Sequence, residues 1–317
     1  MNTTKQKIAI IGAGTMGLGI TQLFAQNGFI VKLIDSNEQV IQAAKGKIED
    51  ELSLLRKYEF IPLSEMDSVL DNIIVSSRLE DASDTDLVVE AVPENLEIKQ
   101  ELFKRMETIC SEATIFATNT SGLSISQIAS VLKHPERFVG THFFMPASII
   151  PLIEIVKGEK TDDQIANKVL QLFQDIGKEP VLIKKDIPGF IANRIQHAMA
   201  REAISLLEEQ VATAKEIDTV VRWSLGVRLL FTGPLEQRDL NGLDVHSAIA
   251  SYLYKDLENR TEPSTLLTEK VEKGELGIKT GNGFYEWDKN RKNQVLQHKN
   301  SSLLKLMKTL KNIDSAN

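Results

Sequence analysis

One cysteine, Cys110, occurs in 317 residues. This excludes an internal disulfide framework and a cysteine-based metal cluster, and no metal site is expected. A half-buried thiol in a reducing compartment is the expectation for Cys110. No apolar run approaches the roughly 18 residues that a membrane-spanning helix requires. The leading MNTTKQK runs directly into an apolar strand and leaves no stretch for a signal peptide, so a cytoplasmic location is expected. Positive charge is also in deficit. The 37 Lys and Arg stand against 44 Asp and Glu, a formal net charge of −7, which speaks against a general nucleic-acid binder. Internal repeats and low-complexity tracts are lacking. What remains is enough chain for two domains, each able to bury a core.

The most informative stretch is KIAIIGAGTMGLGITQLFAQNGFIVKLID, Lys7–Asp35. Ile8, Ala9, Ile10 and Ile11 form an apolar run suited to a buried parallel strand. Gly12, Gly14 and Gly17 follow in the spacing G-x-G-x-x-G. The first permits a tight turn, the second admits a pyrophosphate to the backbone, and the third lets helix and strand pack closely. A helix striped with Ile20, Leu23 and Phe24 stops at Asn27–Gly28. A second apolar run, Phe29–Ile34, ends in Asp35, whose carboxylate suits the ribose hydroxyls of adenosine and repels a 2′-phosphate. Ser36 and Asn37 follow rather than an arginine, so the expected cofactor is NAD.

Further along, Glu38–Tyr58 reads as one long amphipathic helix with Val40, Ile41, Ala44, Ile48, Leu52 and Leu55 inward. A polar connection containing Pro62 leads to a strand at Ile73–Val75. Strands are expected at Leu87–Val92, Thr114–Thr118, Phe138–Phe144, Leu152–Val156 and Val181–Ile183. Helices are expected at Glu94–Cys110 and after a Thr161 cap, the latter ending at Gly177. Beyond Pro188–Gly189 the pattern turns helical, over about Ile191–Glu209, Lys215–Leu225, Pro234–Leu257 and Leu266–Lys273. The fold class is therefore α/β: a Rossmann-type, doubly wound, mostly parallel sheet over residues 1–186, then an all-helical domain over 187–317 that favours a homodimer.

Among the five histidines, His142 alone ends a hydrophobic strand of the first domain, and Glu154 lies on the next strand. His134 and His298 sit in charged segments, and His197 and His246 in helices of the second domain. Alcohol oxidation by NAD needs a base for the hydroxyl proton. An imidazole suits that role at neutral pH, and a carboxylate on its other nitrogen fixes the tautomer. Glu154 is flanked by Leu152, Ile153, Ile155 and Val156, uncomfortable company for a solvated charge. Asn193, one turn into the helix past the boundary, could donate to a carbonyl oxygen. Ser121 follows a strand's carboxyl end, where open α/β sheets bind ligands, and could act likewise or serve as a helix cap.

Together these stretches resemble the L-3-hydroxyacyl-CoA dehydrogenase family, 3-hydroxybutyryl-CoA dehydrogenases in particular. The similar segments are IGAGTMG (Ile11–Gly17), VVEAVPENLEIKQELFKRM (Val88–Met106), ATNTSGLSI (Ala117–Ile125), ERFVGTHFFMP (Glu136–Pro146), PLIEIV (Pro151–Val156), DIPGFIANR (Asp186–Arg194) and GIKTGNGFYEW (Gly277–Trp287). The resemblance implies hydride transfer between NAD and C3 of a 3-hydroxyacyl-CoA, with His142 and Glu154 as the base pair and Ser121 and Asn193 at the substrate oxygen. It also implies that Gly12, Gly14, Thr15, Met16, Gly17, Asp35, Glu94, Lys99 and Lys279 approach NAD. By sequence alone Glu94, Lys99 and Lys279 read as surface charges. A lysine-dependent hydroxyacid dehydrogenase would carry a lysine where this chain has Asn193 and Arg194, and a non-catalytic dinucleotide binder would not need the four-residue set.

Three positions depart from the family pattern. Glu51 and Tyr58 stand where the family tends to place Ser and Lys for the CoA moiety. A carboxylate near CoA phosphates is unfavourable, which opens the alternative of a small non-CoA hydroxy acid or hydroxymethyl substrate using the same residues. Met145 replaces an Asn that helps hold the cofactor, and a thioether is a weak acceptor that cannot donate. Met145→Asn is therefore expected to tighten NADH binding, measured by titrating NADH fluorescence; unchanged affinity and turnover would show that the position does not touch cofactor binding.

Overall fold

The computed structural model describes residues 6–59 and 66–314, apart from the side chains of 311–314. Its described strands are β1 (Lys7–Ile11), β2 (Ile30–Ile34), β3 (Ile73–Ser76), β4 (Leu87–Glu90), β5 (Ile115–Thr118), β6 (Phe138–Phe143), β7 (Leu152–Val156) and β8 (Glu179–Ile183). They form one sheet in the order β3-β2-β1-β4-β5-β6-β7-β8. All neighbours are parallel except β6 and β7, which run antiparallel. The order reverses between β1 and β4, so a crevice opens at their carboxyl ends.

Strand residues alternate between two apolar layers. Ile8 and Ile10 of β1 join one layer, and Ala9 and Ile11 the other. The first layer packs beneath α1 (Thr15–Gln26), α2 (Glu38–Gln42), α3 (Ala44–Lys57) and α4 (Met66–Asp71). The second lies beneath α5 (Leu96–Ile109) and α6 (Ile125–Ala129). On the first side α7 (Asp163–Asp175) adds Val169 and Phe173. Burial on both faces explains why these strands read as continuous apolar runs.

The chain departs from its sequence pattern in several places. Glu38–Tyr58 forms two helices, interrupted at Ala43, whose backbone (φ −81°, ψ −8°) flattens towards a turn. Met66–Asp71 is helical rather than connecting chain, and Pro62 lies outside the described residues. The cap of α7 is Asp162, whose carboxylate accepts from Gln164 N; Thr161 is buried and donates to Phe138 O instead. Half-buried Cys110 matches its expected role, and burial pushes its thiol up to about 11.

Contacts divide the chain into two compact units. One runs to Asn193 and resumes at Ser301; the other is Arg194–Asn300. Helix α8 (Ala192–Glu208) begins in the first and continues in the second, which also holds α9 (Ala214–Val220), α10 (Val227–Leu229), α11 (Glu236–Asn241), α12 (Leu243–Leu253) and α13 (Thr265–Glu272). The single helix expected over Pro234–Leu257 is split because Gly242 takes φ +91°. On α8 the apolar Ile195 and Met199 are exposed, while Ala203, Ile204, Leu206 and Leu207 are half-buried. None of the described helices is long and apolar enough to cross a membrane.

A long helix unannounced by the sequence pattern, α14 (Lys289–Asp314), carries the chain back into the first unit. Leu304 is fully buried in the first apolar layer, which Leu303, Met307, Leu54 and Tyr58 also flank. Lys308 forms an ion pair with Glu59, just past α3. Leu304→Ala is expected to cost about 2–5 kcal/mol, read as a lower urea midpoint; an unchanged midpoint would show that the returning helix contributes nothing to the core.

Candidate active site

The site begins at the turn after β1, where three glycines play three separate parts. Gly12 has φ +105°, and a Cβ there would lie 2.7 Å from Ala91 O. A Cβ on Gly17 would lie 1.8 Å from Gly12 O, so only glycine lets α1 approach the strand. Gly14 has nothing within 4 Å of a would-be Cβ, and as the N-cap of α1 it offers no side chain to the helix's first N–H groups. An open approach to uncapped helix N–H groups fits a dinucleotide pyrophosphate. Thr15 and Met16 start α1, and with Gly12, Gly14 and Asp35 they line a cleft of about 980 Å³.

Asp35 follows β2 and lines this cleft while bracing it. Its Oδ2 accepts from Ala13 N at 2.8 Å and its Oδ1 from Asn37 N at 2.9 Å. The half-exposed carboxylate therefore fixes the glycine turn. Met145 is 66% exposed, just beyond β6.

Antiparallel pairing of β6 and β7 sets His142 directly opposite Glu154. Nδ1 of His142 lies 2.7 Å from Glu154 Oε2, and both side chains are buried. The imidazole packs against Phe144 and Phe190, with ring centroids 4.5 and 5.8 Å away. Phe190 is itself fully buried with φ +50°, a left-handed backbone that a bulky residue rarely adopts. The other carboxylate oxygen, Oε1, accepts from Ile191 N and Ala192 N at 3.0 and 2.9 Å. Glu154 thus orients the imidazole and anchors the start of α8, a second role its sequence position did not reveal. Burial pushes its carboxyl up, but His142 and the two N–H donors outweigh this and hold it below its ordinary value.

Ser121 and Asn193 also meet. Asn193 Nδ2 donates to Ser121 O at 2.7 Å, while the Ser121 side chain is exposed. The cap of α6 is Ser124, which disposes of the capping role for Ser121. Asn119 Oδ1 accepts from Phe143 N at 3.1 Å, tying this loop to the strand that bears His142.

Lys99 is not a surface charge. It is fully buried on α5, with Nζ 2.6 Å from Glu90 Oε1 and 3.4 Å from Glu94 Oε2. Glu94 in turn accepts from Thr120 Oγ1 at 2.6 Å and Ser121 N at 2.9 Å. Burial raises its carboxyl, but Thr120, Lys99 and Ser121 together bring it below its ordinary value. Lys279 is exposed on a short helix, Gly277–Lys279, in the second unit. Among the described residues no cluster of His, Cys, Asp and Glu could hold a metal ion.

Glu154 supplies a pH test. A carboxyl held below its ordinary 4.5 contributes stability that is present above that pH and is lost as pH falls through the folded value. Glu154→Gln is expected to lower stability at neutral pH, with the deficit shrinking as wild type protonates below 4.5. Thermal melts across pH would check this, and a deficit independent of pH would refute the ionised role.

The chain is similar to known proteins over most of its length. The family model for the 3-hydroxyacyl-CoA dehydrogenase NAD binding domain matches residues 7–187, and that for its C-terminal domain matches 189–287. A 5-formyl-3-hydroxy-2-methylpyridine 4-carboxylate 5-dehydrogenase of Mesorhizobium japonicum is 35% identical over 281 residues, 88% of this chain and 90% of that one. A probable 3-hydroxybutyryl-CoA dehydrogenase of Bacillus subtilis is 36% identical over 284 residues, 89% of this chain and 98% of that one. Among solved structures, a 5-formyl-3-hydroxy-2-methylpyridine 4-carboxylic acid 5-dehydrogenase, described as an NAD⁺-dependent dismutase, has a TM-score of 0.91 and 32% identity, covering 97% of this chain and 99% of its own. The (S)-3-hydroxybutyryl-CoA dehydrogenase of Ralstonia eutropha has a TM-score of 0.76 and 35% identity, covering 90% of this chain and all of its own (100%). With its two domain models matching residues 7–187 and 189–287, the chain belongs to the 3-hydroxyacyl-CoA dehydrogenase family of NAD-dependent oxidoreductases acting on CH–OH groups.

Proposed function

We propose that the protein interconverts a secondary or primary alcohol and its carbonyl compound, with His142 as general base and acid. The observation that carries this is the buried 2.7 Å contact between His142 Nδ1 and Glu154. It leaves Nε2 for the substrate oxygen, and Glu154 balances the imidazolium formed when the hydroxyl proton arrives. Ser121 and Asn193 polarise that oxygen, their mutual hydrogen bond fixing the distance between their elements. NAD, held by Gly12, Gly14, Thr15, Met16, Gly17 and Asp35, with Glu94 beside it, supplies the hydride acceptor or donor, and the family resemblance adds Lys279 to the cofactor-binding set. In this scheme the unit that runs to Asn193 and resumes at Ser301 binds the cofactor, and Arg194–Asn300, a shorter stretch than the expected 187–317, is the substrate-binding and dimer-forming part. Trp223, Phe231 and Leu235, all strongly exposed on the second unit, support a homodimer. A cytoplasmic location belongs to the same reading.

Two substrate classes fit the centre. An L-3-hydroxyacyl-CoA is supported by the resemblance to 3-hydroxybutyryl-CoA dehydrogenases, and it would place the enzyme in fatty acid metabolism. A small non-CoA hydroxy acid or hydroxymethyl compound is supported by two features of the α3 side. Glu51 places an exposed carboxylate on α3 next to that of Asp50, a negative pair that would repel the CoA phosphates. The returning α14 also packs next to the end of α3, through Lys308 and Glu59. We favour the small compound, since the same face would have to accept the CoA phosphates.

NADH consumption with acetoacetyl-CoA, free acetoacetate and an aromatic aldehyde bearing a carboxylate separates these readings. The aldehyde is expected to be reduced and the thioester is not, with His142→Ala losing about 10²–10⁴-fold in turnover. Thioester turnover alone would install the acyl-CoA reading, and full activity of His142→Ala would remove the proposed base.

A further inference from the structure

Glu90 has no part in the chemistry above, yet it occupies the switch point of the sheet. It ends β4 directly beside Ile11 of β1, the residue before the glycine turn. The carboxylate is wholly buried and collects three donors. Oε1 accepts from Lys99 Nζ at 2.6 Å and Val92 N at 2.7 Å, and Oε2 accepts from Thr118 Oγ1 at 2.6 Å. Those partners come from α5, from the chain leaving β4 and from the end of β5. Ala91 and Val92 line the cofactor cleft, and Ala91 O is the atom that a Cβ on Gly12 would strike. Lys99 passes the connection on to Glu94, and Glu94 clasps Thr120 and Ser121.

We propose that Glu90 is a positioning residue, which through Lys99 and Glu94 holds the lip of the NAD cleft and the Ser121 loop in register for hydride transfer. The inference rests on the functional reading above for the role of Ser121, while the cleft lip concerns cofactor binding alone. A fully buried ion pair is a weak source of net stability, and replacing both partners by neutral groups is often neutral. Its retention beneath a cofactor cleft is explained by what Lys99 reaches on its far side. A neutral replacement could fill the same space but could not reach Glu94 with a charge.

The test uses the full chain with E90Q, K99M and the E90Q/K99M double variant, reading melting temperature, NADH affinity, and kcat and KM at saturating NADH. K99M leaves the buried Glu90 without its counter-charge and E90Q leaves Lys99 only the more distant, partly exposed Glu94, so each single variant is expected to melt lower. The double variant is expected to melt near wild type while NADH affinity and kcat remain down by about tenfold or more, with KM for the carbonyl substrate held. Recovery of affinity and turnover together with stability would make the pair purely structural and overturn the proposal. Should the double variant fail to fold, E94A removes the group that joins Lys99 to Thr120 and Ser121 and leaves the buried pair intact; wild-type kcat and NADH affinity in E94A would overturn the proposal equally. NADH affinity is measured without any substrate, so a wrong substrate assignment and a wrong role for Glu90 give different results.

Discussion

The two oxygens of Glu154 bind the site together. One faces the imidazole of His142 across an antiparallel strand pair, and the other receives two backbone N–H groups where α8 begins. An isolated carboxylate at such depth would protonate rather than stay charged. Here the donors hold it ionised, which is the state an imidazolium partner needs. The single antiparallel step in an otherwise parallel sheet is what makes the arrangement achievable. A short turn returns the chain so that residues 142 and 154 face each other in register, whereas a parallel neighbour would require a long crossover.

Much of this was legible in the residues. The strand–glycine–helix–strand–aspartate order of the first thirty or so residues dictates a dinucleotide turn because Gly12 and Gly17 answer separate steric demands and Gly14 leaves the helix start open. The His142–Glu154 pair was legible because a carboxylate amid Leu152, Ile153, Ile155 and Val156 needs a partner, and one lay on the preceding strand. Glu90 carried the same signal at the end of the apolar run LVV. Lys99 carried another, at the helical spacing of Leu96, Phe103 and Met106 on the inward stripe of α5. Neither can be recognised alone. A buried charge is intelligible only beside its counter-charge, and what joins positions 90 and 99 is the packing of a helix on a strand.

Other features were hidden for different reasons. The long α14 carries so many Lys, Asn and Ser residues that its apolar contacts, Leu303, Leu304 and Met307, occupy a small part of its length. The break at Ala43 has no glycine or proline to mark it, unlike Gly242, whose left-handed backbone divides the later helices for an evident reason. Apolar residues of α8 form a helical stripe that this chain covers only in part, so periodicity announced a buried face without identifying its cover.

The return of α14 has a thermodynamic consequence for the unit in which that helix begins. Because the first unit holds the chain both before Arg194 and from Ser301 onward, the second unit is a loop pinned at its two ends. If it opened while the first unit stayed folded, its disordered chain would still be closed, with fewer conformations than one tethered at a single end. Docking of Leu304 therefore acts on Arg194–Asn300 as a cross-link does, limiting the entropy gained on local opening without a contact inside that unit. In a chain with one cysteine and no disulfide, a hydrophobic side chain supplies that constraint.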